Sequence, residues 1–211
     1  MQIDLAEQQR TLAERIRAST QIDDPRILAA FAAVRRHEFL SEVQYPFAYE
    51  DRALPLDEGQ TVSQPSMIAI MLGELGCRAT DRALEVGAGS GYAAAVLAQL
   101  VREVHTLEVR PSLAARARQN LERAGVSNVH VVETDGNQGL AAHAPFDRIL
   151  VSAAPRVVPE ALVEQLAVGG RIAIPVGNEH AQTLLVGEKT KPGEMHWQRT
   201  VPCIFVPLVS R

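Results

Sequence analysis

One glycine-rich turn and three acidic residues carry the chemistry that can be read from this sequence. The turn is Glu85-Val86-Gly87-Ala88-Gly89-Ser90-Gly91-Tyr92, set between a short apolar run and a helical pattern. Glycines let a backbone turn tightly and approach a ligand closely, and a helix start leaves backbone N–H groups unpaired. In an open α/β sheet, such a loop lies beyond the carboxyl end of a strand, where ligands bind. The dinucleotide fingerprint is G-x-G-x-x-G, but here the third glycine comes one residue early. Glu85 also precedes the loop directly. It would repel a pyrophosphate, yet it suits the ammonium and sulfonium charges of a methionyl group. Glu85, Gly87, Gly89, Ser90 and Gly91 are therefore expected to hold S-adenosyl-L-methionine rather than a nicotinamide dinucleotide.

Two further acids extend that set. Glu108 closes the next apolar run and can accept hydrogen bonds from ribose hydroxyls. Asp135, followed by Gly136, closes the run after that and can accept from an adenine amino group. Acids at strand ends are also common helix N-caps. That reading stays open for Asp135 and is weaker for Glu108, which precedes Val109-Arg110-Pro111. A nicotinamide-dependent dehydrogenase and a non-enzymatic binding module are the rival classes. The loop spacing with Glu85 argues against the first, and the retained acids argue against the second.

These residues must be positioned by an ordered scaffold. Apolar residues at helical spacing predict helices over 4–18, from Asp24-Pro25 onward, and over 65–75 with Gly76 as the stop. Residues 41–62 carry Pro46, Pro55 and Gly59 and read as irregular, with 44–65 as a wall or lid of the site. From residue 82, strands and helices alternate. Strands are expected at 82–86, 103–109, 128–133, 147–152, 171–175, 183–188 and 203–208. Helices are expected at 92–100, 112–124 and 159–166, the last stopped by Gly169-Gly170. Such alternation predicts a doubly wound, mostly parallel α/β sheet of Rossmann-like type with an N-terminal helical extension. A single domain is expected over 1–211, with 1–78 as the helical and irregular part and 79–211 as the cofactor-binding core.

Composition sets the outer limits. The chain has 211 residues, 46% apolar and 22% charged, with a net charge of −4. A general nucleic-acid binder carries a basic excess, and this chain does not. Cys77 and Cys203 are far apart without metal-ligand spacing, so both read as reduced, buried thiols. His105, His130, His143, His180 and His196 show no metal spacing, and no metal is expected. Arg116, Arg118 and Arg123 read as the solvated face of a helix, and Trp197 as a packing residue. The N-terminus lacks a basic start followed by an apolar run, and no stretch is long and apolar enough for a membrane span. A cytoplasmic protein without membrane or nucleic-acid partners is expected.

Several segments together are distinctive. They are Arg36-His37-Glu38-Phe39, Ala48-Tyr49-Glu50-Asp51 with Ala53-Leu54-Pro55, and Gly59-Gln60-Thr61-Val62-Ser63-Gln64-Pro65. The glycine loop, Ala144-Pro145-Phe146-Asp147, Gly169-Gly170, Pro175-Val176-Gly177 and Phe205-Val206-Pro207-Leu208 complete them. With these residues the chain resembles the protein-L-isoaspartate (D-aspartate) O-methyltransferases over about 24–208. The glycine loop is common to many methyltransferases; the Thr-Val-Ser-Gln-Pro and Phe-Val-Pro-Leu segments are far more specific.

The resemblance implies a repair enzyme that methylates the free α-carboxylate of L-isoaspartyl residues, with D-aspartyl residues as a further substrate class. It places Ser63 beside the transferred methyl as the catalytic candidate. Thr61 and Val62 fall on the cofactor side of the same pocket and Gln64 on the substrate side. Gly87, Glu108, Asp135 and Gly136 match the family's cofactor positions. Two departures lie in Glu133-Thr134-Asp135-Gly136-Asn137, where Thr134 replaces the usual glycine and Asn137 an aromatic residue. A carboxyl methyltransferase of the same lineage acting on a specialised peptide is the alternative.

Overall fold

The computed structural model describes residues 4–210. Helix α1 (Leu5–Thr20) starts on Asp4, whose carboxylate accepts the Glu7 amide at 2.9 Å. Helix α2 (Pro25–Ala33) starts on Asp24 with proline in its first turn, where a missing N–H costs nothing. The 36–62 region holds 3-10 turns and a two-stranded ribbon of β1 (Leu54–Pro55) and β2 (Thr61–Val62). Helix α3 (Pro65–Leu75) follows and ends on Gly76 in the left-handed region, at φ 59.

The main sheet comprises β3 (Arg82–Val86), β4 (Glu103–Glu108), β5 (Val129–Glu133), β6 (Phe146–Val151), β7 (Leu166–Gly177), β8 (Gln182–Lys191) and β9 (Glu194–Cys203). Helices α4 (Tyr92–Ala98), α5 (Pro111–Arg123) and α6 (Glu160–Glu164) connect its parallel strands. The strand order is β5-β4-β3-β6-β7-β8-β9. The five strands from β5 to β7 are parallel, and β8 and β9 add antiparallel to that edge. The chain moves outward from β3 through β4 to β5, then returns to the other side of β3 as β6. The order therefore reverses between β3 and β6, and a crevice opens at their carboxyl ends.

Two apolar layers flank this sheet. One joins α1, α2, α3, α4 and α5 to β4 through residues such as Leu12, Phe31, Leu72, Val96 and Leu121. The other packs Leu162 of α6 against Leu84, Leu107, Ile149 and Ile172. The buried Arg148–Asp81 ion pair, 3.1 Å apart, braces the junction of β3, β6 and α3. Arg148 and Arg171 also donate to the carbonyls of Gly76 and Glu74 at 3.2 and 2.9 Å, closing the end of α3.

The expected fold class is present, with two differences near the C-terminus. The helix expected over 159–166 spans Glu160–Glu164, and Leu166 already pairs with Phe146. Lys189 of β8 donates to the carbonyls of Val163, Glu164 and Leu166 at 2.9, 3.0 and 2.7 Å, which caps α6 early. Gly169-Gly170 is thus no helix stop but a bulge inside β7, where pairing with β6 slips between Phe146 and Arg148. The strand expected over 203–208 is also displaced. Its place in the sheet is taken by β9, which ends at Cys203 after a turn carrying Gly193 at φ 76. Beyond it, among the described residues, Pro207 forms an isolated bridge to Ala154.

Both cysteines are free, buried thiols. Burial pushes Cys77 up to about 12 and Cys203 up to about 11. Trp197 packs on Gly187 of the neighbouring strand. Among the described residues no helix is long and apolar enough to cross a membrane.

The fold gathers three histidines that sequence spacing left separate. His105 of β4 lies with its ring centroid 5.1 Å from His130 of β5 and 4.3 Å from His143. Among the described residues no group of His, Cys, Asp or Glu could hold a metal ion. Burial, then His143 and His130, push His105 from 6.5 down to about 4; Glu103 opposes this and Arg82 adds to it. Between those values the unfolded chain binds a proton that the folded protein refuses, so stability falls as pH drops from 6.5 to 4. His105→Leu should reduce the stability difference between neutral and mildly acidic pH by about 2 kcal/mol, read from urea unfolding midpoints.

Candidate functional site

The crevice is built on the turn after β3. Gly87, Gly89 and Gly91 have φ of 96, 52 and 88, conformations that side chains with a Cβ adopt at a cost. Glu108 at the end of β4 holds this turn. Its Oε2 accepts the Gly89 amide at 2.9 Å and its Oε1 accepts the Arg110 amide at 3.1 Å. The Ser90 carbonyl receives the Asn120 side chain of α5 at 2.9 Å. Tyr92 then begins α4, whose seven residues are all buried.

An open cleft of about 510 Å³ lies above the turn, lined by Gln60, Thr61, Val86, Gly87, Gly89, Glu108, Gly136 and Ser152, among others. A smaller cavity of about 300 Å³ continues it past Thr61, Val62, Ser63, Ser90 and Tyr92. On the far side of Thr61 and Ser63, a groove of about 640 Å³ runs between Gln64, Met67 and the segment from Pro202 to Phe205. The structure thus brings Thr61, Val62, Ser63, Gly87, Gly89, Ser90, Glu108 and Gly136 to one connected space, with Gln64 on the groove side. Gly91 sits behind it, packed against Leu121 and Ala117.

Two expected residues do not line these spaces, and for Asp135 the structure shows the N-cap that the sequence left open. Glu85 lines none of these spaces. It is 0% exposed beneath the turn, with Oε2 accepting from the Thr106 hydroxyl at 2.5 Å. Its Oε1 has no hydrogen-bond partner among the described residues. Asp135 is a cap: its carboxylate accepts the Asn137 amide at 2.8 Å and the Asn137 side chain at 2.9 Å. It sits beside the cleft through Gly136, where an added Cβ would overlap Val86.

Sequence reasoning missed Ser152, Arg110 and Gln165. Ser152 directly follows β6 and lines both cleft spaces. Gln165 ties the turn after Asp135 to α6, accepting the Leu140 amide at 2.6 Å and donating to the Gln138 carbonyl at 2.8 Å. None of the three stands in a recognisable motif. The segment 57–60 reaches the cleft through Gln60. It is held there by Glu58, which pairs with Arg110 at 2.8 Å and accepts from Ser112, and by Asp57, 2.5 Å from Arg116. The α5 arginines are therefore more than a solvated face. Arg123 likewise donates to the Glu38 carbonyl.

This donor set is acidic and rich in backbone amides. The chain matches the family described as protein-L-isoaspartate(D-aspartate) O-methyltransferase over residues 7–211. It is 48% identical over 209 residues to the protein-L-isoaspartate O-methyltransferase of Roseiflexus sp. (strain RS-1), covering 99% of this chain and 94% of that protein. The chain belongs to this family. The namesake enzyme of Methanopyrus kandleri is 46% identical over 203 residues, covering 94% of this chain and 90% of the other. A Plasmodium falciparum protein-L-isoaspartate O-methyltransferase, solved with S-adenosyl-L-homocysteine, superposes with a TM-score of 0.85 at 25% identity. That likeness covers 96% of this chain and 99% of the other.

The buried acid of this methyltransferase site has a measurable signature. Burial pushes Glu85 from 4.5 up to about 8; the Thr106 hydroxyl pulls it down, Glu108 raises it and Ser152 lowers it. Between those two values the folded protein keeps a proton that the unfolded chain gives up. Its contribution to stability is therefore complete below 4.5 and is lost as pH rises through 8. Glu85→Gln should flatten the stability profile between pH 5 and 8 by about 3 kcal/mol relative to the wild type, measured by urea unfolding without cofactor.

Proposed function

We propose that this protein transfers a methyl group from S-adenosyl-L-methionine to the free α-carboxylate of L-isoaspartyl residues in damaged proteins, and that it works in the cytoplasm. The observation that carries this reading is the shared wall. Thr61 lines the cleft above the glycine turn, the smaller cavity that continues it and the groove on the other side, and Ser63 lines that cavity and the groove. A small cofactor on one side and a peptide on the other would meet there.

The cleft residues fit the cofactor. Close backbone approach at Gly87 and Gly89 admits a nucleoside, and the lining cation Arg110 is already paired with Glu58, which disfavours a polyphosphate. Glu108 holds one amide with each oxygen, and a carboxylate oxygen can accept more than one hydrogen bond, so ribose hydroxyls can join. Asp135 and Gly136 are assigned to the adenine end, with Glu85 and Ser90 behind the methionyl end. S-adenosyl-L-methionine bound there supplies a methyl group on a positively charged sulfur.

The chain's own part is to orient and to exclude water. An isoaspartyl carboxylate is already ionised at neutral pH, so no general base is needed. Ser63 is assigned as the hydroxyl donor that aligns the carboxylate with the methyl group, a positional contribution. Gln64 is assigned to the peptide, with its amide oriented by Asp51 at 3.2 Å. Residues 79–211 would form the cofactor-binding part, and 1–78 would supply the wall carrying Ser63.

The decisive assay uses labelled S-adenosyl-L-methionine and two peptides that differ only in L-isoaspartate against normal aspartate. Labelling of the isoaspartyl peptide alone is expected. Cofactor binding without labelling of either peptide would shift the reading to a specialised peptide carboxylate. Ser63→Ala should lower kcat about 10- to 100-fold and leave cofactor affinity in place. Glu108→Ala should weaken S-adenosyl-L-homocysteine binding about 10- to 100-fold by calorimetry, since hydrogen bonds to a charged group are worth ~1.5–3 kcal/mol.

A further inference from the structure

The most unusual side chain in the protein lies outside the cleft. Arg36, in the 3-10 turn Arg36–Phe39, is 0% exposed. Its Nη1 donates to the carbonyls of Ala48 and Glu50 at 2.9 and 3.1 Å. Its Nη2 donates to the carbonyls of Arg52 and Ser63, both at 3.0 Å. The guanidinium also sits over the ring of Tyr92, 5.5 Å from its centroid. Carrying a buried cation is costly, and here the compensation comes from four carbonyl dipoles and an aromatic face.

What these partners have in common is their position. Tyr92 is the first residue of α4, directly after the glycine turn, and lines the same cavity as Ser63. One planar group thus ties the backbone of Ser63 to the base of the turn assigned to the cofactor. We propose that Arg36 is a positioning residue that sets Ser63 relative to the glycine turn for methyl transfer. This rests on the assignment of Ser63 beside the transferred methyl. Asp51 holds the segment that follows, accepting the Ser66 amide at 2.8 Å and the Gln64 side chain at 3.2 Å. Ser63 is therefore bracketed: its own carbonyl is bound by Arg36, and Gln64 and Ser66 just after it are tied to Asp51. A lysine at 36 keeps the charge but loses the planar fork that reaches four acceptors at once.

A bracing role for the N-terminal region alone would also make Arg36 valuable, so the test must separate the two. The measurement is kcat with an isoaspartyl peptide, divided by the number of S-adenosyl-L-homocysteine sites titrated in each preparation. It is made for wild type, Arg36→Lys, Ser63→Ala and the double variant. Arg36→Lys should lower this normalised kcat about 10- to 100-fold, as a displacement of about 1 Å does. The peptide KM and S-adenosyl-L-homocysteine affinity should stay within about three-fold of wild type. In the Ser63→Ala background the same substitution should cost almost nothing more, because its effect passes through Ser63.

Equal losses in both backgrounds, or no loss from Arg36→Lys, would overturn the proposal and leave Ser63 in its role. A silent Ser63→Ala would instead remove the role of Ser63, and this proposal with it. If Arg36→Lys yields no cofactor-binding protein, Asp51→Ala replaces it in the same cycle. Non-additivity with Ser63→Ala supports bracketing of Ser63, and additivity rejects it.

Discussion

The cleft depends on one carboxylate. Glu108 sits at the end of β4 and takes an amide from each of two turns, Gly89 after β3 and Arg110 after β4 itself. The two parallel strands are also joined along their ladder and by the Thr106–Glu85 and Arg82–Glu103 contacts, all of which lie below the cleft. Without this bridge, the glycine turn would have no side-chain tie to its neighbour. Because the acceptor is ionised, these bonds are stronger than neutral ones. The same oxygens face the cleft, so the group that shapes the turn is also placed to meet a ligand.

Charge in the region is arranged with the sulfonium-bearing cofactor in view. Carboxyl groups dominate: Glu108 in the wall of the turn and Asp135 beside it, with Glu85 buried beneath and pushed by burial up to about 8. The cations nearby are committed elsewhere. Arg110 and Arg116 are paired with Glu58 and Asp57, and Arg36 is spent on backbone carbonyls. A site of this kind does not need an acid–base pair. It needs two ligands held in line, and its polar groups mostly hold the backbone that does so.

Much of this was legible in the sequence. Prolines at helix starts, Gly76 at a helix end and the alternation after residue 82 located α2, α3, the three parallel strands around the glycine turn and the helices between them. Boundaries there depend on local chemistry. The C-terminal third depends on tertiary contacts instead. Nothing near residue 164 announces that Lys189, on a later strand, will cap α6, nor that Gly169-Gly170 will be absorbed as a bulge. The β9 strand is a polar edge strand with an alternating pattern of partly buried residues, weaker than the apolar run around residue 205 that drew attention instead. In the site, glycines and acids were visible because their types are rare at such positions. Glu85 and Asp135 were visible too, and a capping role was open for Asp135, but the burial of Glu85 depends on neighbours no spacing rule encodes. Arg36 stood inside a recognised segment without any sign that its partners would be four carbonyls.

The seven buried residues of α4, mainly alanines, back the cofactor side of the protein with close-packed core. The groove side is built differently, with Ile204 68% exposed at its rim and Met67 only partly covered. The two ligand sites are therefore unequal as raw material for evolution. Peptide preference can drift through rim substitutions that cost little stability, while the nucleoside site is locked to its present occupant by the core behind it.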